Sequence, residues 1–177
     1  MKLLRILCPG HDPAASSALR DGVAAFNRGL DIRLRFLSIG IEDREITVTD
    51  GTSAATQVEN ELDAFAPDAV VLLGHGAAAV SAATLSARRP MVLARLGSGV
   101  RDGPSADAAR AVDHLSAVLL VLDDACEAAL RAEGLGDRIA RVARPDDSGA
   151  AGNSDFGRNV IMALRAARAR PSGDSTC

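Results

Sequence analysis

The chain has 177 residues, which is enough for one domain with a sizeable core. Its formal net charge of −3 and pI near 5.6 give no electrostatic reason to expect nucleic-acid binding. Hydrophobic residues make up 47% of the chain but aromatic residues only 2%, so the core is expected to be aliphatic.

The cysteines and the apolar stretches exclude further classes. Cys8, Cys126 and Cys177 are odd in number and irregularly spaced, which fits a reducing cytoplasm better than a disulfide framework or a zinc site. The apolar stretch at the amino terminus is short, is interrupted by Arg5 and ends at Pro9, unlike a secretory signal. No stretch of the sequence is long enough to cross a bilayer. We therefore expect a cytoplasmic protein without membrane insertion.

Apolar runs alternate with helical patterns along the chain. The predicted strands are Lys2–Cys8, Asp31–Ile39, Glu45–Val48, Ala69–Leu73, Met91–Arg95, Ala117–Leu122 and Ile139–Val142. The predicted helices are Pro13–Arg28, Ser53–Phe65, Ala77–Ala87, Ser105–His114, Asp123–Glu133 and Asp155–Arg170. This alternation predicts an α/β fold of the Rossmann-like kind, with a doubly wound, mainly parallel sheet flanked by helices.

A single domain over residues 1–170 accounts for all of these elements. Residues 145–154 are rich in glycine, serine and aspartate, and this composition predicts a flexible loop. Residues 171–177 are predicted to be a disordered tail.

The loops after the first and fourth predicted strands carry the first candidate functional residues. In the common strand order 3-2-1-4-5-6, these two strands are neighbours at the point where the winding reverses, and ligands bind there. The first loop contains Gly10 and His11, and the second consists of Gly74, His75 and Gly76. The sequence therefore predicts that both histidines and the three glycines face a ligand-binding crevice.

Each histidine has a structural and a functional interpretation. In the functional interpretation, His75 contacts a ligand and acts as a general base. In the structural one, the loop needs small residues so that the next helix can pack, and His75 merely lies at the surface. His11 with Asp12 is either an oriented acid–base pair or part of a helix cap before Pro13. His114 stands at a predicted helix end, where satisfying backbone groups is the favoured role. His75 and His11 remain as the candidate catalytic residues.

The glycine-rich segment after the fifth predicted strand is a second candidate site. Gly97, Ser98 and Arg101 are candidate ligand contacts, but the segment lacks the lysine and hydroxyl residue that end a phosphate loop, so a flexible loop is favoured. Arg101 with Asp102 is either an anion site or, as favoured, an exposed charge pair. The predicted loops carry no carboxylate pair and no metal-ligand pattern, so no metal and no cofactor is expected.

Short motifs along nearly the whole chain resemble, in the same order, those of one enzyme family. Phe65-Ala-Pro-Asp-Ala-Val-Val-Leu-Leu-Gly74 resembles the family's Lys-Pro-Asp strand, and Gly99-Val-Arg101 resembles its Gly-Leu-Arg turn. Asp113-His-Leu-Ser116 resembles an Asp-His-Leu/Ile-Ser helix end, and two later runs match at Glu133–Ile139 and Asn159–Leu164. The chain is thus similar to the amino-terminal domain of the non-hydrolysing UDP-N-acetylglucosamine 2-epimerases. The resemblance implies one half of a two-domain GT-B fold and a UDP-sugar as the candidate ligand.

Several positions depart from the pattern of that family. Gly74-His75-Gly76 stands where the family has Gly-Asp-Thr, and no glutamate occurs at residues 95–97, where the family has one. Pro104-Ser105-Ala106 lacks both carboxylates of the family's Pro-Glu-Glu helix start, and the early Thr-Arg-Pro-Glu loop is Gly10-His11-Asp12-Pro13. The chain also ends where the resemblance places the second, nucleotide-binding domain. Orthodox epimerase activity is therefore not expected.

Two functional hypotheses follow from the resemblance and the departures. The first is an epimerase-like single-domain protein, degenerate at the acidic catalytic positions, that is a non-catalytic accessory subunit in sugar-nucleotide or glycosyl-transfer metabolism. It would form a homodimer, or a heterodimer with a related full-length or complementary chain. The alternative is a diverged enzyme that uses His75 and His11 as acid–base groups on a sugar nucleotide or another small metabolite.

Overall fold

The structure is a computed structural model, and it describes residues 4–10, 13–26, 32–37, 54–74, 77–101, 103, 106–142 and 150–169. The strands in this part of the chain are β1 (Leu4–Pro9), β2 (Ile32–Leu37), β3 (Ala69–Leu73), β4 (Val92–Leu96), β5 (Val118–Val121) and β6 (Ile139–Arg141). The α-helices are α1 (Pro13–Phe26), α2 (Ala54–Phe65), α3 (Ala77–Ser86), α4 (Ala106–Leu115), α5 (Asp124–Ala132) and α6 (Ala150–Ala169). A short 3-10 helix spans Gly136–Arg138.

The strands form one parallel sheet in the order β2-β1-β3-β4-β5-β6. β1 lies beside β3, which is the fourth strand predicted from the sequence, so the predicted neighbours at the reversal of winding are confirmed. The predicted strand Glu45–Val48 and the predicted tail at 171–177 lie outside the described residues. α1 and α6 cover one face of the sheet, and α2 and α3 pack on the other. The predicted doubly wound α/β fold is therefore confirmed.

β3 shows why its sequence is an unbroken apolar run. All of its residues are buried. Ala69, Val71 and Leu73 pack in the core on the side of α1 and α6, whereas Val70 and Leu72 pack against α2 and α3. A strand that is covered on both faces has no solvent-facing position, so the polar alternation of a half-buried strand is absent.

Asp123 and Gly134 explain where α5 begins and ends. The side chain of Asp123 accepts a hydrogen bond from the Cys126 N–H at 2.9 Å, as expected for a residue that caps a helix start. At the other end, Gly134 has a φ of +77°, the left-handed conformation that commonly ends a helix. The observed helix lies within one residue of the predicted range Asp123–Glu133 at both ends.

α6 begins earlier than the sequence prediction placed it. The composition of residues 145–154 predicted a flexible loop and a helix start at Asp155, but the backbone is helical from Ala150 onwards. Residues 143–149 lie outside the described residues. Helix propensity alone often does not decide whether a segment is helical. Adding residues to the end of a helix that already packs on a neighbour costs less free energy than starting a new helix. The prediction was therefore wrong at 150–154, because composition does not register the packing of α6 on α1.

α1 and α6 approach each other closely at two glycines. Gly22 of α1 and Gly157 of α6 are both buried. A Cβ atom at position 157 would lie 2.5 Å from the Gly22 Cα and 3.2 Å from the Ala18 carbonyl oxygen. The helices can reach this separation only because Gly157 has no side chain.

Gly157→Ala is expected to lower the free energy of unfolding by about 1–3 kcal/mol through overpacking. Alanine favours a helix over glycine by about 1 kcal/mol, so propensity alone predicts the opposite sign. Chemical denaturation followed by circular dichroism measures the difference. Asn159→Ala, at an exposed position of the same helix, is the control and should lie within about 0.5 kcal/mol of the wild type. A Gly157→Ala variant as stable as the wild type would contradict the close contact.

Candidate functional site

The carboxyl ends of β1 and β3 lie side by side. A parallel bridge between Gly10 and Leu73 extends the pairing of the two strands to their ends. Gly10 has a φ of +114°, and a Cβ atom there would lie within 1.9 Å of the Leu73 carbonyl oxygen, so only glycine fits. The structure therefore brings the starts of the two predicted ligand loops into contact.

The candidate catalytic residues lie just beyond these strand ends. His11 and His75 are outside the described residues, as is Gly76. Each histidine is one residue away from a described glycine, Gly10 or Gly74. The proximity of the two imidazoles stays a prediction, which the adjacency of the two strand ends supports.

Gly74 and Gly97 are two neighbouring positions without side chains at the same edge of the sheet. Leu73 and Leu96 are register partners in β3 and β4, so the glycines that follow them are neighbours. Their φ angles are +89° and +69°, and a Cβ atom at either position would have no atom of the described residues within 4 Å. Glycine is favoured here because φ is positive, not because a side chain would clash with a neighbour. The open space beside both residues leaves a ligand room to reach the backbone.

The segment that follows β4 is fixed by hydrogen bonds, in contrast to the flexible loop predicted there. The N–H groups of Gly97 and Ser98 donate to the Leu120 carbonyl oxygen at 3.0 and 3.3 Å. The Gly99 N–H donates to the Asp113 carboxylate at 3.1 Å. Phosphate-binding loops present such N–H groups to the ligand. All three are used within the protein here, so this segment does not have the form of a phosphate loop.

The glycines of this segment allow close packing rather than flexibility. A Cβ atom at Gly99, whose φ is +89°, would lie within 2.4 Å of the Cys126 carbonyl oxygen in the first turn of α5. Ser98 is fully buried, and its hydroxyl donates to the Arg95 carbonyl oxygen at 2.9 Å. Ligand contacts by Gly97 and Ser98 stay predictions, and the Ser98 hydroxyl already has a partner inside the fold.

Arg95 and Asp113 form an ion pair in the protein interior. Their side chains are 1% and 0% exposed, and Arg95 Nη1 lies 2.7 Å from Asp113 Oδ1. The same nitrogen donates to the Ala109 carbonyl oxygen at 2.5 Å, which ties β4 to α4. Burial lowers the pKa of Arg95, and the charge of Asp113 opposes that effect. Arg95 Nε is buried without a hydrogen-bond partner, so the pair is not fully satisfied.

Neither Arg95 nor Asp113 was predicted from the sequence as a site residue. The available signal was an arginine within the apolar strand Val92–Leu96, at a position where water is excluded on both faces. A buried charge requires a partner. The strand pattern does not identify that partner, because Asp113 is supplied by a helix that follows later in the chain.

Arg101 joins Asp113 to Glu133. Its Nη1 donates to Asp113 Oδ2 at 2.7 Å, while Nε and Nη2 donate to the two oxygens of Glu133 at 2.8 and 2.7 Å. The Arg101 side chain is only 16% exposed, so the exposed charge pair favoured by the sequence was wrong for this residue. Asp102 lies outside the described residues. Arg101 does hold carboxylates, but both belong to this chain, and its contact with a ligand stays a prediction.

Glu133 is held by several basic groups at the end of α5. A carboxylate is unfavourable at a helix carboxyl terminus, and these groups compensate for it. Hydrogen bonds from Arg101 lower the pKa of Glu133 from its ordinary 4.5 to about 2, and Arg110 adds to the effect. Arg110 Nε and His114 Nε2 lie 3.1 and 3.7 Å from the carboxylate. The His114 side chain therefore lies beside a carboxylate, whereas the sequence favoured a role in satisfying backbone groups, which stays a prediction.

The described residues offer no metal site, and the thiol of Cys8 is not reactive. Within them, no group of three or more histidine, cysteine, aspartate or glutamate residues could hold a metal ion. No helix there is both long and apolar enough to cross a bilayer. Cys8 is fully buried in β1, and burial raises the pKa of its thiol to about 12. This thiol is therefore unsuited to act as a nucleophile.

Asp113→Ala is expected to lower the free energy of unfolding by about 3–5 kcal/mol, because it leaves Arg95 buried without its counterion. Chemical denaturation measures the loss. Replacing both partners, as Arg95→Met with Asp113→Leu, should recover part of it, since a packed apolar pair needs no counterion. Asp124→Ala is the control, because Asp124 pairs with Arg141 at the surface and should matter much less. Equal losses in the two alanine variants would contradict the anchoring role of Asp113.

The contribution of Glu133 to stability is expected to depend on pH. Its pKa in the folded protein lies below the ordinary value of 4.5, so the carboxylate stabilises the fold above that pH. The stabilisation should disappear as the pH falls towards about 2. Melting temperatures of the wild type and Glu133→Gln, compared across this range, measure it. Glu59→Gln, at an exposed position of α2, is the control. A constant difference between the wild type and Glu133→Gln would contradict the prediction.

No protein-family model and no curated protein matches the chain. Several solved structures do match. UDP-N-acetylglucosamine 2-epimerase from Rickettsia bellii has a TM-score of 0.63 and 18% identity, over 81% of this chain and 46% of that chain. The S. aureus MnaA–UDP co-structure has a TM-score of 0.63 and 14% identity, over 82% and 44%. UDP-GlcNAc 2-epimerase from Neisseria meningitidis, bound to UDP-GlcNAc, has a TM-score of 0.60 and 12% identity, over 78% and 45%.

These similarities show the fold of the chain. At such low identity the agreement concerns the arrangement of strands and helices rather than the side chains. The chain spans less than half the length of the structures that it matches. The Rossmann-like domain implied by the sequence motifs is therefore confirmed as a fold that resembles part of UDP-N-acetylglucosamine 2-epimerase structures.

Proposed function

We propose that this chain is a cytoplasmic, non-catalytic accessory subunit that binds a UDP-sugar at the carboxyl edge of its sheet. The observation that carries the proposal is the pairing of the charged groups around β4. Arg95, Arg101, Asp113 and Glu133 neutralise one another within the fold. General acid–base catalysis needs a group that can exchange a proton with the substrate. These four groups are already paired with one another, which favours binding over catalysis at the carboxyl end of β4.

The proposed binding surface consists mainly of backbone. Gly10, Gly74 and Gly97 follow three neighbouring strands, and ligands of α/β proteins bind outside such strand ends. The last two of these glycines have open space where a side chain would be. A sugar nucleotide could therefore lie directly on the strand ends, with His11 and His75 as its candidate side-chain contacts.

The matched structures support the choice of ligand. The Neisseria meningitidis epimerase is bound to UDP-GlcNAc, and the S. aureus protein is bound to UDP. This chain spans 45% and 44% of their lengths. We propose, as the resemblance implies, that this chain associates with a second chain. That chain is either an identical copy or a related full-length or complementary protein.

A second function, catalysis by His75 and His11, is favoured by one observation. The bridge between Gly10 and Leu73 brings together the strand ends that precede the two histidines. Imidazole groups titrate near neutral pH, so two of them at one edge suit acid–base work on a sugar nucleotide or another small metabolite.

UDP or UDP-GlcNAc at about 100 times its dissociation constant is expected to raise the melting temperature by about 5–10 °C, because it binds only the folded chain. Gly97→Asn should reduce this shift, since asparagine tolerates a positive φ but fills the open space. Gly134→Asn is the matched control. Gly134 also has a positive φ and no atom near a would-be Cβ, but it lies at the end of α5. Its shift should equal that of the wild type.

Three outcomes would contradict parts of this proposal. An unchanged melting temperature of the wild type would exclude sugar-nucleotide binding by this chain. Equal shifts in Gly97→Asn and Gly134→Asn would place the ligand away from the end of β4. Turnover of UDP-GlcNAc by a chain that elutes as a monomer, with loss of turnover in His75→Ala and His11→Ala, would establish the catalytic function instead.

A further inference from the structure

Two arginines lie next to each other at the opposite, amino-terminal end of the sheet. Arg5 of β1 and Arg33 of β2 are register partners in neighbouring parallel strands. Register partners in a parallel pair project from the same face, on strands about 5 Å apart. Arg33 is exposed, and the Arg5 side chain is 37% exposed. Two guanidinium groups are therefore attached side by side at one accessible surface.

The carboxylate beside this pair is already engaged. Asp68 Oδ1 accepts a hydrogen bond from Arg168 Nη2 at 2.8 Å, and Oδ2 accepts the main-chain N–H of Arg5 at 2.9 Å. Arg5 Nε is 3.9 Å from Oδ2, at the limit of an ion pair. Asp68 is thus shared by two arginines, and it neutralises at most one of them.

Two carboxylates of α2 are bound by arginines other than this pair. Glu61 is bound by Arg35 at 2.7 Å, and Asp63 is bound by Arg89 at 2.6 Å. Arg33 makes no hydrogen bond or ion pair with any residue that the structure describes. Among the described residues, Asp68, Glu61 and Asp63 are thus each hydrogen-bonded by the side chain of an arginine other than Arg33.

Like charges directly opposite each other destabilise neighbouring strands. A doubly charged anion between them reverses the sign of this interaction. The guanidinium group is planar and donates two parallel hydrogen bonds to an oxyanion, so two adjacent arginines suit a tetrahedral phosphate group. The net charge of −3 for the whole chain argues against an extended polyanion such as nucleic acid.

We propose that Arg5 and Arg33 form a binding site for a small phosphate-bearing anion, either inorganic phosphate or a phosphate monoester. The site lies at the end of the sheet opposite Gly74 and Gly97. It is therefore independent of sugar-nucleotide binding at the carboxyl edge, and neither proposal depends on the other.

The test is a titration of the full chain with inorganic phosphate, with sodium chloride at equal ionic strength as the reference. At about ten times its dissociation constant, phosphate should raise the melting temperature by about 3–6 °C. Arg33→Gln and Arg5→Gln should each lose at least about two thirds of this shift, and the double variant should lose all of it. Arg165→Gln, at an exposed position of α6, is the control and should retain the full shift.

A second readout separates ligand binding from a structural role. In chloride alone, Arg33→Gln should be as stable as the wild type or more stable, because it removes a like-charge neighbour from Arg5. The proposal is overturned if the double variant keeps the phosphate shift, or if phosphate acts no more strongly than chloride. It is also overturned if Arg33→Gln destabilises the chain in chloride, since Arg33 would then stabilise the fold itself.

Discussion

The buried carboxylate of Asp113 is the group on which the arrangement around β4 depends. It accepts hydrogen bonds from Arg95, from the Gly99 N–H and from Arg101. Removing such charges from water costs several kcal/mol per ion, and matched geometry must offset that cost. A single carboxylate thereby fixes a strand, the loop that follows it and helix α4. Arg101 extends the link to α5 through Glu133.

The same network determines what the carboxyl edge can offer to a ligand. The N–H groups at positions 97–99 donate to partners within the protein, and the guanidinium group of Arg101 binds carboxylates of this chain. What this part of the edge presents is glycine backbone with open space beside it. The candidate side chains for recognition, His11 and His75, belong to the loops after β1 and β3, and their contact with a ligand stays a prediction. This division makes the end of β4 a rigid surface rather than a reactive one.

Some of the structure could be predicted from the sequence. The features that were missed depend on contacts between residues far apart in the chain. β3 was predicted with its observed ends, and β4 within one residue, because burial on both faces leaves a continuous apolar run. The contact between β1 and β3 followed from the common strand order. The first turns of α6 were missed because packing on α1 outweighs local composition. The pair of Arg95 and Asp113 was missed because a strand pattern shows that a charge is buried but not which distant residue neutralises it.

The two ends of the sheet differ in how they balance their charges, and this difference bears on function. Strand interiors are constrained by packing, which accounts for a fold shared with epimerases at 12–18% identity. Strand ends are less constrained by packing, so charged side chains can occur there, in contact with water or with partners. At the carboxyl end, Asp113 and Glu133 neutralise the arginines of β4 and its loop. At the amino-terminal end, Asp68 is bound by Arg168, and Arg33 has no partner among the described residues. The like charges of Arg5 and Arg33 therefore oppose the pairing of β1 and β2 at this end of the sheet.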